Sequence, residues 1–212
     1  MHTNLIARIM PAVAACAIGL FTSSCRSVSK GPCSRDFPLE QIRAGDLAFR
    51  CGQGLFSRVV TLSEEEGIYS HVGVIVPDGD AWKVVHAVPG ERQDGKDFDR
   101  VKAEDIEVFF APGRAVKGCL VHTGLSDSTR VGMLCSQALQ QARDSVPFDD
   151  NYSLEDSTAL YCTELVWRLY LRQGVDLTQG RRRYVNALQI KGDVILPEHI
   201  LHYSENEQYY HF

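Results

Sequence analysis

The sequence predicts an α+β fold in which an antiparallel sheet or partial barrel packs against a few helices. Three observations lead there: a strong hairpin signal early in the chain, a helix with a clear apolar stripe in its middle, and a second helix with a cysteine near its start. The order is strands with one hairpin, then a helix, the cysteine helix and a tail, which is the order of segregated α+β layers.

Taken in order, Gly45-Asp46 marks a turn into a strand over Leu47–Cys51, and residues 55–62 have the apolar spacing of a short helix closed by an exposed acidic loop at 64–67. Residues 70–76 and 82–88 are β-rich runs joined across Pro77-Asp78-Gly79-Asp80, and Asp-Gly is a preferred two-residue turn. With Asp78 and Gly79 as the turn, paired numbers sum to 157, so His71 faces His86 directly, with Cβ atoms about 4.5–5.5 Å apart. A slip of one residue would send the two imidazoles to opposite faces. Residues 90–101 are polar and loop-like, 103–110 are ambiguous, and Lys117–Thr123 is a further strand. Ser126 or Asp127 caps a helix with the stripe Val131, Leu134, Cys135, Ala138, Leu139 and Ala142, which makes Cys135 a core residue; Cys119, in an apolar run, is read the same way.

A polar, aromatic loop over 147–152 leads to the next helix, which Asp156, Ser157 and Thr158 cap and whose apolar face is Leu165, Val166, Leu169 and Tyr170. Gly174 closes it, residues 181–191 are irregular, Pro197 opens a last short helix, and 208–212 form a final strand.

The composition, 44% hydrophobic and 23% charged over 212 residues, describes one domain with a sizeable core. A net charge of -5 gives no electrostatic footprint for nucleic acid, and Arg181-Arg182-Arg183, the one tight basic run, is read as a solvated loop. At the N-terminus Arg8 is followed by an apolar run over 9–21, too short to span a bilayer, so residues 1–24 are expected to be a secretory signal. Thr22-Ser23-Ser24 before Cys25 resembles a bacterial lipobox, which implies lipidation at Cys25 and a membrane-anchored tether over 25–36. Val13-Ala14-Ala15-Cys16 fits the box locally but leaves too short an apolar core. The protein is expected to be exported and membrane-anchored, facing the periplasm or cell surface, with the domain over 37–212. Export permits disulfides, and the five cysteines left, Cys33, Cys51, Cys119, Cys135 and Cys162, are odd in number. No pair has zinc-ligand spacing, Glu198-His199 and His202 do not make His-Glu-x-x-His, and nothing calls for a metal or cofactor.

The chemistry lies in Cys162. A thiol near a helix N-terminus faces the positive end of the macrodipole, which can lower its pKa from about 8.5 toward roughly 3.5–7.5. A nucleophilic cysteine needs a base and a group that orients the base, and His71 and His86 supply both. The thiolate attacks an acyl carbon, and the imidazolium protonates the leaving group. Backbone N–H of Cys162 is the natural oxyanion donor, with Tyr152 and Tyr161 as side-chain candidates beside it.

The segments Gly45-Asp46-Leu47, Tyr69-Ser70-His71-Val72-Gly73-Val74, Val84-Val85-His86-Ala87-Val88, Phe148-Asp149-Asp150-Asn151-Tyr152 and Tyr161-Cys162-Thr163-Glu164-Leu165-Val166 resemble, in that order, the circularly permuted papain-like amidases of the YiiX/YaeF type. These belong to the NlpC-type cysteine peptidase superfamily. The resemblance covers residues 37–212 and implies a permuted papain-like fold, in which the histidine precedes the cysteine. It implies His71 as base and Cys162 as nucleophile; His86 stands where these members usually carry Glu. The expected function is an exported, lipid-anchored cysteine amidase or peptidase, with peptidoglycan peptide as the accessible substrate. Two alternatives are an acyltransferase or lipase-like thiol enzyme on lipid acyl groups, which predicts an apolar groove beside Cys162, and a binding module, which predicts an ordinary or disulfide-bonded Cys162.

Overall fold

The computed structural model describes residues 36–52, 60, 65, 67–92, 94–187, 190–203 and 205–212. All belong to one compact unit, Cys33–Phe212. The signal, Cys25, Cys33 and nearly all of the expected 55–62 helix lie outside the described residues. No helix among the described residues is long and apolar enough to cross a membrane.

The strands β1 (Leu47–Cys51), β2 (His71–Asp78), β3 (Ala81–Val88), β4 (Arg100–Asp105), β5 (Lys117–Thr123) and β8 (Asn206–His211) form an antiparallel sheet in the order β4-β3-β2-β1-β5-β8. A separate hairpin pairs β6 (Arg183–Ala187) with β7 (Ile190–Val194). The helices are α1 (Ile106–Phe109), α2 (Ser128–Arg143), α3 (Cys162–Leu171) and α4 (Pro197–Leu201). The molecule is therefore mixed α+β, with an antiparallel sheet packed against few helices.

Both faces of the central strands are buried, which is why β2 is an almost unbroken apolar run. Leu47, Phe49, Val72, Val74 and Val85 pack into one core with Leu134, Ala138, Leu165 and Leu169 of α2 and α3. Their sequence neighbours Ala48, Ile75 and Val84 point the other way, onto Ile106, Phe109 and Phe110. Each such aliphatic or aromatic side chain contributes about 1.5–3 kcal/mol when fully buried. Helix α2 starts as expected, with Asp127 accepting from the N–H of Arg130 at 2.8 Å. Gly174 at φ 76° takes the left-handed step that turns the chain out of α3.

Three local expectations are corrected. In the β2–β3 hairpin Asp78 pairs with Ala81, so paired numbers sum to 159 and the turn is Gly79-Asp80. Glycine at the first central position supplies the positive φ, 61°, that a type II′ turn requires. Residues 181–191 are not irregular but hold the start of the β6–β7 hairpin. Asp156 does not cap α3; its carboxylate accepts from the N–H and hydroxyl of Thr158, and the N-cap position belongs to extended Tyr161.

Candidate active site

Cys162 is the first residue of α3, so its thiol stands where the helix has N–H groups without intrahelical acceptors. Tyr161 offers no capping side chain. Helix α3 forms because Leu165, Val166, Leu169 and Tyr170 share a face that the sheet covers. The N–H groups of Val72, Thr163 and Cys162 itself all favour a negative sulfur. Burial outweighs them and pushes the thiol up to about 11. The lowered thiol expected from the helix dipole alone is thus corrected: desolvation wins over the helix end. Cys162 carries a free thiol.

His71 is the first residue of β2, and the two-residue shift of the hairpin leaves it on the same face as His86, because side chains alternate with period two. The rings meet at a diagonal, not directly opposite: His71 Nε2 lies 2.9 Å from His86 Nδ1. Gly73 makes room for this, since a Cβ there would lie 3.0 Å from His86 Cβ and 2.5 Å from a methyl of Val84. His86 Nε2 in turn lies 3.1 Å from Glu104 Oε2, and Arg114 bonds the same oxygen at 2.6 Å. Arg50 is stacked over Phe109 at 4.5 Å and paired with Glu91.

Charges along this line fix where the protons sit. Burial alone would raise the Glu104 carboxyl, but the hydrogen bond to His86 and the pull of Arg114 hold it at about 2. Burial, with the Arg50 charge beside it, depresses both imidazoles, His71 well below 6.5, so both are neutral at pH 7. An ionised Glu104 can only accept, so His86 carries its proton on Nε2 and presents Nδ1 as acceptor. His71 must then donate from Nε2, and its Nδ1 is left as the basic nitrogen.

His71 and Cys162 line one narrow cavity of about 40 Å³, walled by apolar groups that include Phe148, Ile195, Leu196 and Pro197. Tyr152 and Tyr161 line it too. Tyr152 holds φ 56°, a left-handed conformation uncommon for a bulky residue, in a loop shaped by Asp149, whose carboxylate accepts from the N–H groups of Asn151 and Ser153. A thiolate at Cys162 would raise the Tyr152 hydroxyl further than burial already does, so the two groups feel each other. Tyr161 is buried, and its hydroxyl accepts from the N–H of Ile195 at 3.1 Å, bracing the connection between β7 and α4.

The structure thus gathers Cys162, His71, His86, Tyr152 and Tyr161 in one place and adds Glu104, Arg114 and Arg50, which sequence analysis passed over. A period-two signal existed for one of them: Glu104, with Lys102, alternates with Val101 and Ala103 on β4, as a strand with one polar face requires.

No protein-family model matches the chain, and no curated protein does. Among solved structures, the crystal structure of metalloprotein yiiX from Escherichia coli O157:H7 has 18% sequence identity and a TM-score of 0.64, over 80% of this chain and 97% of that one. The likeness is one of fold. That protein is described as a metalloprotein; here, among the described residues, no three His, Cys, Asp or Glu side chains are placed to share an ion. Both ring nitrogens of His86 are already engaged, which leaves Cys162 and His71 too few. The residues do not fit a metal, and no step below passes through one.

Proposed function

We propose that the chain is a cysteine acyl-transfer enzyme of the permuted papain-like kind, related to the NlpC-type peptidases. The observation that carries this is the hydrogen-bonded line Glu104–His86–His71, ending at a histidine that lines the same cavity as Cys162. In this mechanism a neutral pair is the resting state. The Cys162 proton passes to His71 Nδ1 as sulfur bonds to the acyl carbon, and negative charge collects on the acyl oxygen, for which the Cys162 N–H at the helix start serves as donor. The imidazolium then protonates the departing nitrogen or oxygen, and the acyl group stays on sulfur as a thioester. An incoming water or alcohol gives its proton to His71 and releases the acyl group, restoring the thiol.

The export and Cys25 lipid anchor expected from the sequence belong to this proposal, and the enzyme would then work at a membrane surface. A peptidoglycan peptide is polar and ionised, whereas the cavity walls are almost entirely apolar. That lining favours the second expectation, hydrolysis or transfer of an apolar, lipid-type acyl group, over peptide cleavage. The test is turnover of p-nitrophenyl esters and anilides of rising chain length beside a murein tripeptide. The proposal expects rates that climb with chain length and vanish in Cys162→Ala. Turnover retained in that variant would remove Cys162 as the nucleophile, and preference for the tripeptide would restore the peptidase reading.

A further inference from the structure

The three consecutive arginines at 181–183 do not splay into solvent. They converge on a cleft of about 330 Å³, which they line with His199, His202, Glu65 and Glu198. Arg183 is neutralised there, 2.9 Å from Glu65 and 3.4 Å from Glu198. Its two neighbours make no ion pair among the described residues. Arg181 is pinned by carbonyl oxygens, its Nε donating to Thr178 at 2.9 Å and its Nη2 to His199 and His202, each at 3.1 Å. Arg182 lies over the Trp167 ring at 4.7 Å and donates to the Thr178 hydroxyl at 2.8 Å and the Arg181 carbonyl at 2.7 Å. Neither guanidinium has a carboxylate partner among the described residues, although the chain as a whole carries a charge of -5.

Among the described residues the cleft sets three guanidinium groups against the two carboxylates of Glu65 and Glu198, and that positive balance suits it to an anion. With Arg181 Nε and Nη2 and Arg182 Nη1 already bonded, Arg181 Nη1 and the Nε–Nη2 edge of Arg182 are the atoms left to meet the oxygens of phosphate or carboxylate, and groups already held in place lose little freedom when an anion docks. The His199 ring responds to the same field: burial and the surrounding arginines, against the opposing pull of Glu198, hold it down to about 4. The cleft also shares a wall with the catalytic cavity. Leu196 and Pro197, at the start of α4, line the Cys162 side, and Glu198, His199 and His202 line the arginine side. Trp167, under Arg182, belongs to the same helix as Cys162.

We propose that this cleft binds an anionic group, phosphate or carboxylate, of the same substrate whose acyl part reaches Cys162. The inference rests on the reading of Cys162 as nucleophile and adds the substrate class: an apolar acyl compound with an anionic head.

The test uses the full chain carrying Cys162→Ala, so that binding is read without turnover, and titrates it by calorimetry with decyl phosphate below its micellar concentration. Saturable binding is expected, weakened about tenfold by Arg182→Gln and by Arg181→Gln, less by Arg182→Lys, and unchanged by Arg143→Gln on the exposed side of α2. Thermal midpoints check folding; should Arg181→Gln not fold, Arg182→Gln decides. Inorganic phosphate is expected to bind more weakly than decyl phosphate, because it lacks the chain that enters the cavity. Equal affinity for the two would mean a site for free phosphate and would overturn the substrate assignment, as would decyl phosphate binding indifferent to Arg182. Thioester formation on the wild-type chain tests the nucleophile separately, so either idea can fail alone.

Discussion

Glu104 touches neither the thiol nor the cavity, yet each hydrogen bond from it toward His71 removes one choice of proton position. With Glu104 as acceptor, His86 is held as one tautomer and His71 as the matching one. Glu104→Gln leaves a side chain of the same shape that can offer either an oxygen or an N–H to His86, so the tautomer is no longer enforced. The expected result is a fall in kcat of about ten- to a hundredfold with KM little changed, against a larger fall in His71→Ala. A KM effect with unchanged kcat would contradict a positioning role. The raised thiol makes a second prediction at this scale. Free enzyme should alkylate slowly with iodoacetamide at pH 6 to 8, since the thiol is pushed up to about 11 and the depressed His71 forms no standing ion pair. Rapid labelling of Cys162 at pH 6, measured by mass spectrometry, would show a preformed thiolate. That charge state was not legible in the sequence: the helix start could be read from local residues, but the desolvation that overrides it comes from the packing of distant segments.

At the scale of elements, the β2–β3 hairpin shows why some errors of register are harmless. Reading the turn as Asp78-Gly79 in place of Gly79-Asp80 displaces the pairing by two residues, and a two-residue shift preserves which face a side chain takes. The histidine pair was therefore legible even though the register was not. Gly73 is where this hairpin is most constrained, and Gly73→Ala should cost about 1–3 kcal/mol by overpacking against Val84 and His86. Urea unfolding checks it: a lower midpoint with unchanged slope is expected, and an unchanged midpoint would mean that the strands give way freely. Three adjacent arginines, by contrast, announce charge but not destination. Their cleft is assembled by Glu65 and α4, distant in sequence, so local composition pointed to a solvated loop.

Across the whole molecule the buried imidazoles set the acid limit. His71, His86 and His199 are all depressed below the 6.5 of an unfolded chain, His199 to about 4. The unfolded state therefore binds more protons below that value, so the stability these groups leave intact above pH 6.5 is lost as the pH falls toward 4. Buried Glu164 works in the opposite sense: raised to about 7, it favours the folded state below 4.5 and weakens it as the pH rises through 7. With three imidazoles against Glu164 and the likewise raised Asp46, the urea midpoint should be lower at pH 4.5 than at pH 7, and the drop should shrink in His199→Gln. A midpoint that rises on acidification would show the two carboxyls to dominate. The general α+β order was readable because strand and helix periodicities are local, whereas the Glu104 relay depends on the pairing of β3 with β4. The most direct measurement of the central claim is intact-protein mass spectrometry of the wild-type chain after brief exposure to p-nitrophenyl decanoate. One acyl adduct on Cys162, absent in Cys162→Ala and slowed by orders of magnitude in His71→Ala, is the predicted result. An adduct on another residue, or one that forms as fast without His71, would contradict it.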